Sequence, residues 1–464
     1  MNESKHLIED NAWPLAPSQR VWGAWELFIV LLVAAAATWC YVIGEYVGYY
    51  LQLKPGFASM TAGSMVGMLL VTLAVVPPST KYGIDSITAA KAQFGANGWL
   101  ITVVLQYVSI ICWNSILLIF FGKALEEFLV TIGVITPDSA TVAIVIGTIA
   151  ACAFVFASLM RGTSGIQKVS NVLFFFIVGV GGWIIWELVT QKSDALAAAA
   201  PAYASGDLQW DYVTGIEIGI VSLLSWWPYI GAMTRVARNT RTATVPAMIG
   251  MGLPVPLLSV IGLAAILALG TSNPAQWLTE LGGSFYGAVA LLFVIAANIG
   301  TAVAGLYASA VGLRAVPALT NAPWALLLAL AILPVVAIGI FIPDLFFSNI
   351  GTVLAYMGVF FAPLCAIQIV DYFLLRGQRL DLRALYQRSP ASPYAYWGGF
   401  NPAAVLGMVA GFATYLYLLN PVSYASSSPY EYLTASIPTA LVGGIVYLVI
   451  TLAVVKPAGK GGYK

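Results

Sequence analysis

The sequence predicts an all-α integral membrane protein that crosses the bilayer twelve times. Three observations predict this class: 60% of the 464 residues are hydrophobic, only 8% are charged, and long apolar runs recur along the chain. An average soluble protein carries about 25% charged residues. The composition therefore excludes a cytosolic enzyme, a nucleic-acid-binding protein and a secreted disulfide scaffold. The net charge of +1 indicates no polyanionic partner.

A membrane-crossing helix needs about 20 mostly apolar residues, and twelve runs of the chain meet this requirement. We number them segments 1 to 12 in chain order: 25–51, 57–77, 98–122, 141–160, 170–190, 213–234, 243–270, 284–313, 323–343, 347–375, 402–420 and 433–455. Segment 1 follows a polar tail and lacks a small-residue cleavage pattern. It is therefore interpreted as a membrane helix and not as a removable signal peptide.

The basic residues predict the orientation of these segments. With the N-terminus inside, the outer loops hold only Lys54, Lys123 and Lys192, which are three of the 20 Lys and Arg residues. The positive-inside rule then predicts a multi-pass protein of the cell membrane with both termini in the cytoplasm. The inner loops and tails hold the other 17: Lys5, Arg20, Lys81, Lys91, Arg161, Lys168, Arg235, Arg238, Arg241, Arg314, Arg376, Arg379, Arg383, Arg388, Lys456, Lys460 and Lys464.

The orientation also predicts an internal symmetry. Segments 1–5 start inside and segments 6–10 start outside, which is the arrangement of two five-helix units in an inverted-repeat transporter. The predicted divisions are a cytoplasmic tail at 1–24, a first repeat at 25–190, and an outer loop with a second repeat at 191–375. The rest, 376–464, holds an inner loop, segments 11 and 12 and a short cytoplasmic tail.

Two segments carry signals of a helix interruption, where backbone groups become free to meet a substrate. In segment 6, Trp226 and Trp227 precede Pro228, which lacks a backbone donor and clashes with the preceding turn. The two tryptophans could offer a flat aromatic face, and the alternative is a plain proline kink packed against its neighbours. In segment 1, the four alanines at 34–37 would let a helix or a ligand approach the backbone closely.

Polar residues in the segments give further candidates. Thr301 in segment 8 could help to bind a small hard cation, or its hydroxyl could bond to its own helix. Glu45 and Glu217 fall in the outer halves of segments 1 and 6. Carboxylates within a membrane are costly and usually functional, so they could bind a cationic substrate, although a wet outer vestibule would also explain them. Asp371 is expected to pair with Arg376 at the inner end of segment 10.

Histidine and cysteine usage excludes several other sites. The one histidine, His6, lies in the polar N-terminal tail, which excludes a histidine-ligated metal site and a Ser-His-Asp triad. The four cysteines lie in apolar runs without C-x-x-C spacing and are expected to be buried small hydrophobic residues.

Several stretches resemble the nucleobase:cation symporter-1 family, whose members import nucleobases, hydantoins, allantoin and related compounds. Residues 14–25 (PLAPSQRVWGAW) are similar to the family's entry to the first helix, and residues 81–95 to its inner loop after the second. The end of segment 10, 371–376 (DYFLLR), and the residues that follow up to Asn401 carry the most specific resemblance. It implies a LeuT-like fold of five-plus-five inverted repeats followed by two C-terminal helices.

The resemblance implies a planar substrate between two tryptophans. One falls on Trp113 in segment 3, and the second comes from the break in segment 6, where Trp226 or Trp227 takes the role with a small shift in alignment. Aromatic stacking favours such planar ligands.

Three substrate-facing amides of sodium-coupled relatives are absent from this sequence. Their positions hold Ala37, Leu117 and Leu306. Buried amides largely decide which analogue a site rejects, so either other groups replace them or the ligand differs. The replacements available on nearby turns are Asn114, Ser115, Asn298, Ser222 and Ser225.

The resemblance also implies a sodium site between segments 1 and 8. The backbone carbonyls of that site fall on Val33, Ala36 and Ala297, and Thr301 keeps one of its two hydroxyls. Gly300 stands where the other hydroxyl would be, which removes one oxygen ligand. Sodium and proton coupling therefore both remain open.

Together these observations predict a secondary transporter that imports a small planar nitrogen compound by alternating access. We expect no cofactor other than the coupling Na⁺ or H⁺, no partner other than substrate and lipid, and a monomer. A same-fold transporter of an amino acid or of a small organic cation, bound by Glu217 or Glu45, is the alternative. The absence of histidine and of a clustered carboxylate pair from the segments disfavours a membrane-embedded enzyme. An aromatic break suggests an occluding site, which disfavours a channel.

Overall fold

The computed structural model describes residues 13–160, 163–271, 273–387 and 389–463, without the side chains of 163–172 and 176–178. Within these ranges the protein is helical and has isolated β-bridges but no β-strand. Of the positions named above, His6, Lys5, Arg161, Arg388, Lys464 and the side chain of Lys168 lie outside the described residues.

Each of the twelve predicted segments contains helix. In segment order the helices are Ala24–Ala35 with Thr38–Gly48, Leu53–Tyr82, Leu100–Thr131, Ala140–Leu159, Thr163–Gln191, Leu208–Leu224 with Trp227–Thr234, Thr240–Gly252 with Pro254–Leu269, Pro274–Arg314, Trp324–Phe341, Ile350–Ile369, Pro402–Leu418 and Ser436–Ile450. Segments 10 and 12 continue as the π-helices Val370–Leu375 and Thr451–Val455. The short connecting helices are Ser86–Phe94, Ser193–Ala198, Pro343–Ser348 and Tyr430–Leu433.

Length and composition make the chain a multi-pass membrane protein. Nine of the described helices are long and apolar enough to cross a membrane, and the two bent pairs in segments 1 and 6 raise the number to eleven. Pro402–Leu418 in segment 11 is apolar but has only 17 residues. The count of twelve crossings therefore stays a prediction.

The predicted interruption of segment 6 is confirmed, and segment 1 is interrupted as well. The halves of segment 6 meet at 41°, because Pro228 has no N–H to donate to the carbonyl of Leu224 and the helix restarts at Trp227. The halves of segment 1 meet at 56°, with Ala37 in extended backbone. Segment 8 has a third break near its outer end, where Gly283 adopts a positive φ of 60°.

Glycine contacts hold the central helices close together. Segment 7 packs along segment 1, and segment 6 packs along segment 2. A Cβ at Gly44 would collide with the carbonyl oxygen of Ser259 in segment 7, and one at Gly63 with the carbonyl oxygen of Ile216 in segment 6. Small residues thus allow the backbones to touch at both crossings. Segment 3 packs along segment 8, and segments 11 and 12 pack on each other and on segment 10.

A buried ion pair ties the inner ends of several elements together, as the sequence predicts for segment 10. Arg376 Nε donates to Asp371 Oδ2 at 2.6 Å. Asp371 also accepts hydrogen bonds from Gln93 Nε2 at 2.7 Å and from the hydroxyls of Tyr447 and Tyr463, both at 2.8 Å. Burial alone would lower the pKa of Arg376, but the Asp371 carboxylate raises it well above its usual value. The inner loop, segment 10, segment 12 and the C-terminal tail therefore meet at one charged centre.

Candidate functional site

Four buried aromatic side chains meet where the breaks of segments 1 and 6 face segment 3. The Trp39 ring lies 5.6 Å from that of Trp113 and 5.4 Å from that of Trp226, and the Trp226 ring lies 4.5 Å from that of Tyr229. Each of the four is at most 5% exposed. We call these four residues the aromatic cluster. It lies inside the helix bundle and not against lipid.

Of the two candidate tryptophans in segment 6, the structure places only Trp226 in the aromatic cluster. The indole Nε1 of Trp227 donates to Gln368 Oε1 at 2.6 Å, and its ring lies 6.0 Å from that of Phe361. Both partners belong to segment 10. Trp227 therefore links segments 6 and 10, because adjacent residues at a helix start project in different directions.

Sequence reasoning missed two members of the aromatic cluster, Tyr229 in segment 6 and, in segment 1, Trp39. Its position in the first turn after the alanine run is the signal that could have found it, since a restarted helix directs its first side chains toward the break. The Trp39 Nε1 donates to the carbonyl of Ala34 at 3.2 Å, which satisfies a backbone group that the break has freed. The result is a cluster of three indoles and a phenol, not an open slot between two indoles.

Asn298 joins segment 8 to the restart of segment 1. Its Oδ1 accepts hydrogen bonds from the backbone N of Thr38 at 3.1 Å and from the Thr38 hydroxyl at 2.9 Å. These two bonds fix the orientation of the amide. Its other end, Nδ2, is buried without a hydrogen-bond partner. The predicted site residue Asn298 is therefore beside the aromatic cluster, and both N–H groups of its Nδ2 are without an acceptor.

Segment 3 leaves three further polar atoms without partners. Asn114 Nδ2 donates to the carbonyl of Ile110 at 2.7 Å and lies 3.5 Å from the hydroxyl of Tyr229, while Asn114 Oδ1 is buried and unpaired. Trp113 Nε1 and Ser115 Oγ are buried and unpaired as well. A buried polar atom without a partner costs about 1–3 kcal/mol, so these atoms favour a polar ligand or water beside them.

The other candidates for replacing the missing amides have no unpaired polar atom that could bind a ligand. Ser222 Oγ donates to the carbonyl of Gly219 at 2.8 Å, and Ser225 Oγ donates to that of Ser222 at 2.6 Å, so both hydroxyls bond to their own helix. Ala37, Leu117 and Leu306 are buried and apolar.

The junction of segments 1 and 8 brings together part of the predicted sodium site. The Thr301 hydroxyl lies 3.0 Å from the carbonyl oxygen of Ala34, 3.5 Å from that of Val33 and 3.4 Å from that of Ala297. Three of the predicted ligands, the Thr301 hydroxyl and the carbonyl oxygens of Val33 and Ala297, therefore lie close together. At Gly300 a Cβ would lie 2.6 Å from Leu173 Cδ1. The side chain of Leu173 therefore lies against Gly300, where a serine side chain would begin.

Ala36 remains available at this junction only through its backbone, since its side chain is a buried methyl group. Among the described residues no cluster of three or more His, Cys, Asp or Glu could hold a metal ion.

The Glu217 carboxylate joins helices and does not face the aromatic cluster, which corrects its expected place near the substrate. It accepts hydrogen bonds from the Tyr415 hydroxyl at 2.9 Å, the Ser436 hydroxyl at 2.6 Å, and the backbone N of Ala435 at 3.1 Å and Ser436 at 3.0 Å. The positive end of the helix Ser436–Ile450 stabilises its charge. Sequence spacing gave no sign of this contact between segments 6, 11 and 12.

We expect Glu217→Ala to lower the free energy of unfolding by about 2–4 kcal/mol, because its removal leaves several buried donors without an acceptor. Thermal unfolding of the purified protein in detergent measures the effect. Asp138→Ala, which removes an exposed acid, is the matched control and should change nothing. An unchanged melting temperature for Glu217→Ala would contradict the anchoring role.

Comparison with known proteins agrees with this architecture. The chain matches the family described as permease for cytosine/purines, uracil, thiamine, allantoin over residues 14–437. It is 23% identical to the purine-uracil permease NCS1 of Arabidopsis thaliana, over 96% of this chain and 78% of that protein. It is 22% identical to the hydantoin permease of Microbacterium maritypicum, over 87% of this chain and 83% of that protein.

A solved structure shares the fold. Mhp1, a nucleobase-cation-symport-1 family transporter in a closed conformation with bromovinylhydantoin bound, superposes with a TM-score of 0.74 at 18% identity, over 96% of each chain. Apolar helices broken around a buried centre define a membrane transporter of the LeuT-like kind. The chain belongs to the nucleobase:cation symporter-1 family, which comprises permeases and not enzymes.

Proposed function

We propose that this chain imports a small planar nitrogen heterocycle of the nucleobase or hydantoin type, coupled to a cation gradient, by alternating access. The aromatic cluster at the junction of two broken helices is the observation that carries the proposal. Its rings offer stacking faces for a flat ligand. Trp113 and Trp226 would contact the substrate ring, and Trp39, which touches both, would limit its size.

The unpaired atoms beside the aromatic cluster favour a cyclic imide. Trp113 Nε1 and Asn298 Nδ2 are donors, and Asn114 Oδ1 is an acceptor. Two donors and one acceptor complement the two carbonyls and the ring N–H of uracil, xanthine or hydantoin. Cytosine presents an amino group instead of one carbonyl, and adenine has an amino group and no carbonyl, so each would leave a donor unpaired. The alternative of a small organic cation as substrate is less supported, because Glu217 is already occupied by four hydrogen bonds.

Several features support the inverted-repeat arrangement with repeats at 25–190 and 191–375. Segments 1 and 6, the first of each repeat, are the two whose helical halves are bent relative to each other by more than 40°. Segment 7 contacts segment 1 as segment 6 contacts segment 2, which is the exchange that a pseudo-two-fold axis produces. We propose twelve crossings of the cell membrane, both termini in the cytoplasm, and a monomer in which segments 11 and 12 flank the repeats.

Binding of ring compounds to the purified protein tests the proposed substrate class. Uracil, xanthine and hydantoin should each raise the melting temperature, since a ligand at 100 times its Kd stabilises a protein by about 2.7 kcal/mol. Cytosine, guanidinium and free amino acids serve as comparison ligands. Stabilisation by guanidinium or an amino acid, with none by the imides, would overturn the proposal in favour of the other transporter classes. Uptake of the stabilising compound in intact cells then tests transport.

The coupling ion is the second part of this proposal, and Leu173 and Gly300 favour protons over sodium. We expect the double variant Gly300→Ser, Leu173→Ala to gain sodium dependence, because the new hydroxyl restores an oxygen where a methyl group now lies. The melting temperature in NaCl minus that in KCl is the measurement. Leu173→Ala alone is the control and should show no difference. A wild-type protein already stabilised by sodium would contradict the preference for protons.

A further inference from the structure

A second aromatic site lies on the outer side of the protein, apart from the aromatic cluster. It is a cavity of about 280 Å³ whose walls include Tyr46, Tyr49, Tyr50, Tyr203 and Tyr424. We call it the tyrosine cavity. Its residues come from segments 1 and 10, from the connection between segments 5 and 6, and from the connection between segments 11 and 12.

Hydrogen bonds and ring contacts hold the walls of the tyrosine cavity in place. The Tyr46 hydroxyl accepts a hydrogen bond from the backbone N of Gly351 at 2.9 Å, and the Tyr424 hydroxyl donates to the carbonyl of Gly351 at 3.0 Å. The rings of Tyr49 and Tyr46 lie 5.7 Å apart, and those of Tyr49 and Tyr203 lie 5.0 Å apart. The rings are therefore oriented before any ligand arrives, which lowers the ordering cost of binding.

Acidic side chains lie near the tyrosine cavity and outnumber basic ones on the outer side of the protein. Glu45 Oε1 accepts a hydrogen bond from the hydroxyl of the cavity residue Tyr49 at 2.5 Å. With the proposed orientation, the outer side of the protein carries twelve Asp and Glu residues against three Lys. Such a surface raises the local concentration of cations and repels anions.

We propose that the tyrosine cavity binds a small organic cation of the quaternary ammonium type. Several tyrosine faces around one space attract such a cation through their ring quadrupoles, and each contact gains strength where water is displaced. The Glu45 carboxyl group, which accepts a hydrogen bond from the Tyr49 hydroxyl, places acidic oxygens next to the tyrosine cavity. The same rings and acidic groups would repel a carboxylated or phosphorylated ligand.

Choline is the probe, and 3,3-dimethyl-1-butanol, its uncharged isostere, is the matched ligand. Isothermal titration of the purified wild-type protein should show choline binding and no binding of the alcohol at the same concentration. Tyr203→Leu should weaken choline binding about tenfold, because it removes one ring face. Tyr203→Phe should keep the affinity. Tyr203 is 63% exposed, so its replacement should not disturb folding.

Two control variants separate this site from the aromatic cluster. Tyr432→Leu alters another exposed outer tyrosine that does not line the cavity, and it should leave choline binding unchanged. Trp113→Ala should leave it unchanged too, whether or not uptake is lost. Equal binding of choline and the alcohol, no binding of either, or loss of choline binding in Trp113→Ala would each overturn the inference. Failure of the imides to bind would not affect it.

Discussion

Replacing Trp113 with alanine should reduce uptake of the substrate at least about 100-fold while the protein stays in the membrane at its normal level. The indole is buried in segment 3 and lies 5.6 Å from Trp39. The change removes a stacking face and an unpaired N–H that is free to bond a ligand carbonyl. Losing both interactions costs about 3 kcal/mol, which corresponds to the 100-fold effect. Initial uptake rates in intact cells measure it.

Because truncating a buried tryptophan also costs about 3–5 kcal/mol of stability, the amount and monodispersity of the variant protein must be checked alongside. Trp186→Ala is the matched control, since Trp186 in segment 5 is 67% exposed and should tolerate the change. Trp113→Phe keeps a ring without the N–H and should fall between wild type and Trp113→Ala. Normal uptake by Trp113→Ala would show that substrate does not stack on this residue.

Replacing Asp371 with alanine should destabilise the protein by about 3–5 kcal/mol. It would leave the buried Arg376 charge uncompensated and remove the acceptor for Gln93, Tyr447 and Tyr463. Breaking one side of a buried ion pair typically costs this much. The melting temperature in detergent and the yield of folded protein are the measurements.

An exposed ion pair provides the comparison. Lys192 and Glu280 lie 3.7 Å apart, and their side chains are 32% and 55% exposed. Surface pairs of this kind contribute about 0–1 kcal/mol, so Glu280→Ala should change the melting temperature little. If both variants behaved alike, the inner ion pair would not be the anchor that its geometry indicates. A double variant, Asp371→Asn with Arg376→Gln, should recover part of the lost stability because no charge is left unpaired.

The sequence was informative where the physics is local. Each of the twelve apolar runs contains helix, because a helix in lipid satisfies its own backbone within one continuous apolar run. Pro228 marked the break in segment 6, since proline acts on its own turn. Asp371 and Arg376, five residues apart at a helix end, were recognisable as a pair.

Contacts between residues that are far apart in the sequence could not be predicted from it. Glu217 and Ser436 are 219 positions apart, and Asn298 and Thr38 are 260 apart, so no spacing rule connects them. Which of Trp226 and Trp227 enters the aromatic cluster depends on the rotation of the restarted helix, and a shift of one residue turns a side chain by about 100°. The placement of Trp39 depends in the same way on how the alanine run bends.

The amide of Asn298 has a mechanical consequence. Its oxygen accepts a hydrogen bond from Thr38, the first residue of the second helix of segment 1, and its nitrogen has no partner. A substrate that accepts a hydrogen bond from this nitrogen would therefore act on the same amide that holds the start of the helix Thr38–Gly48. Substrate binding and movement of the outer half of segment 1 would then be directly coupled through Asn298.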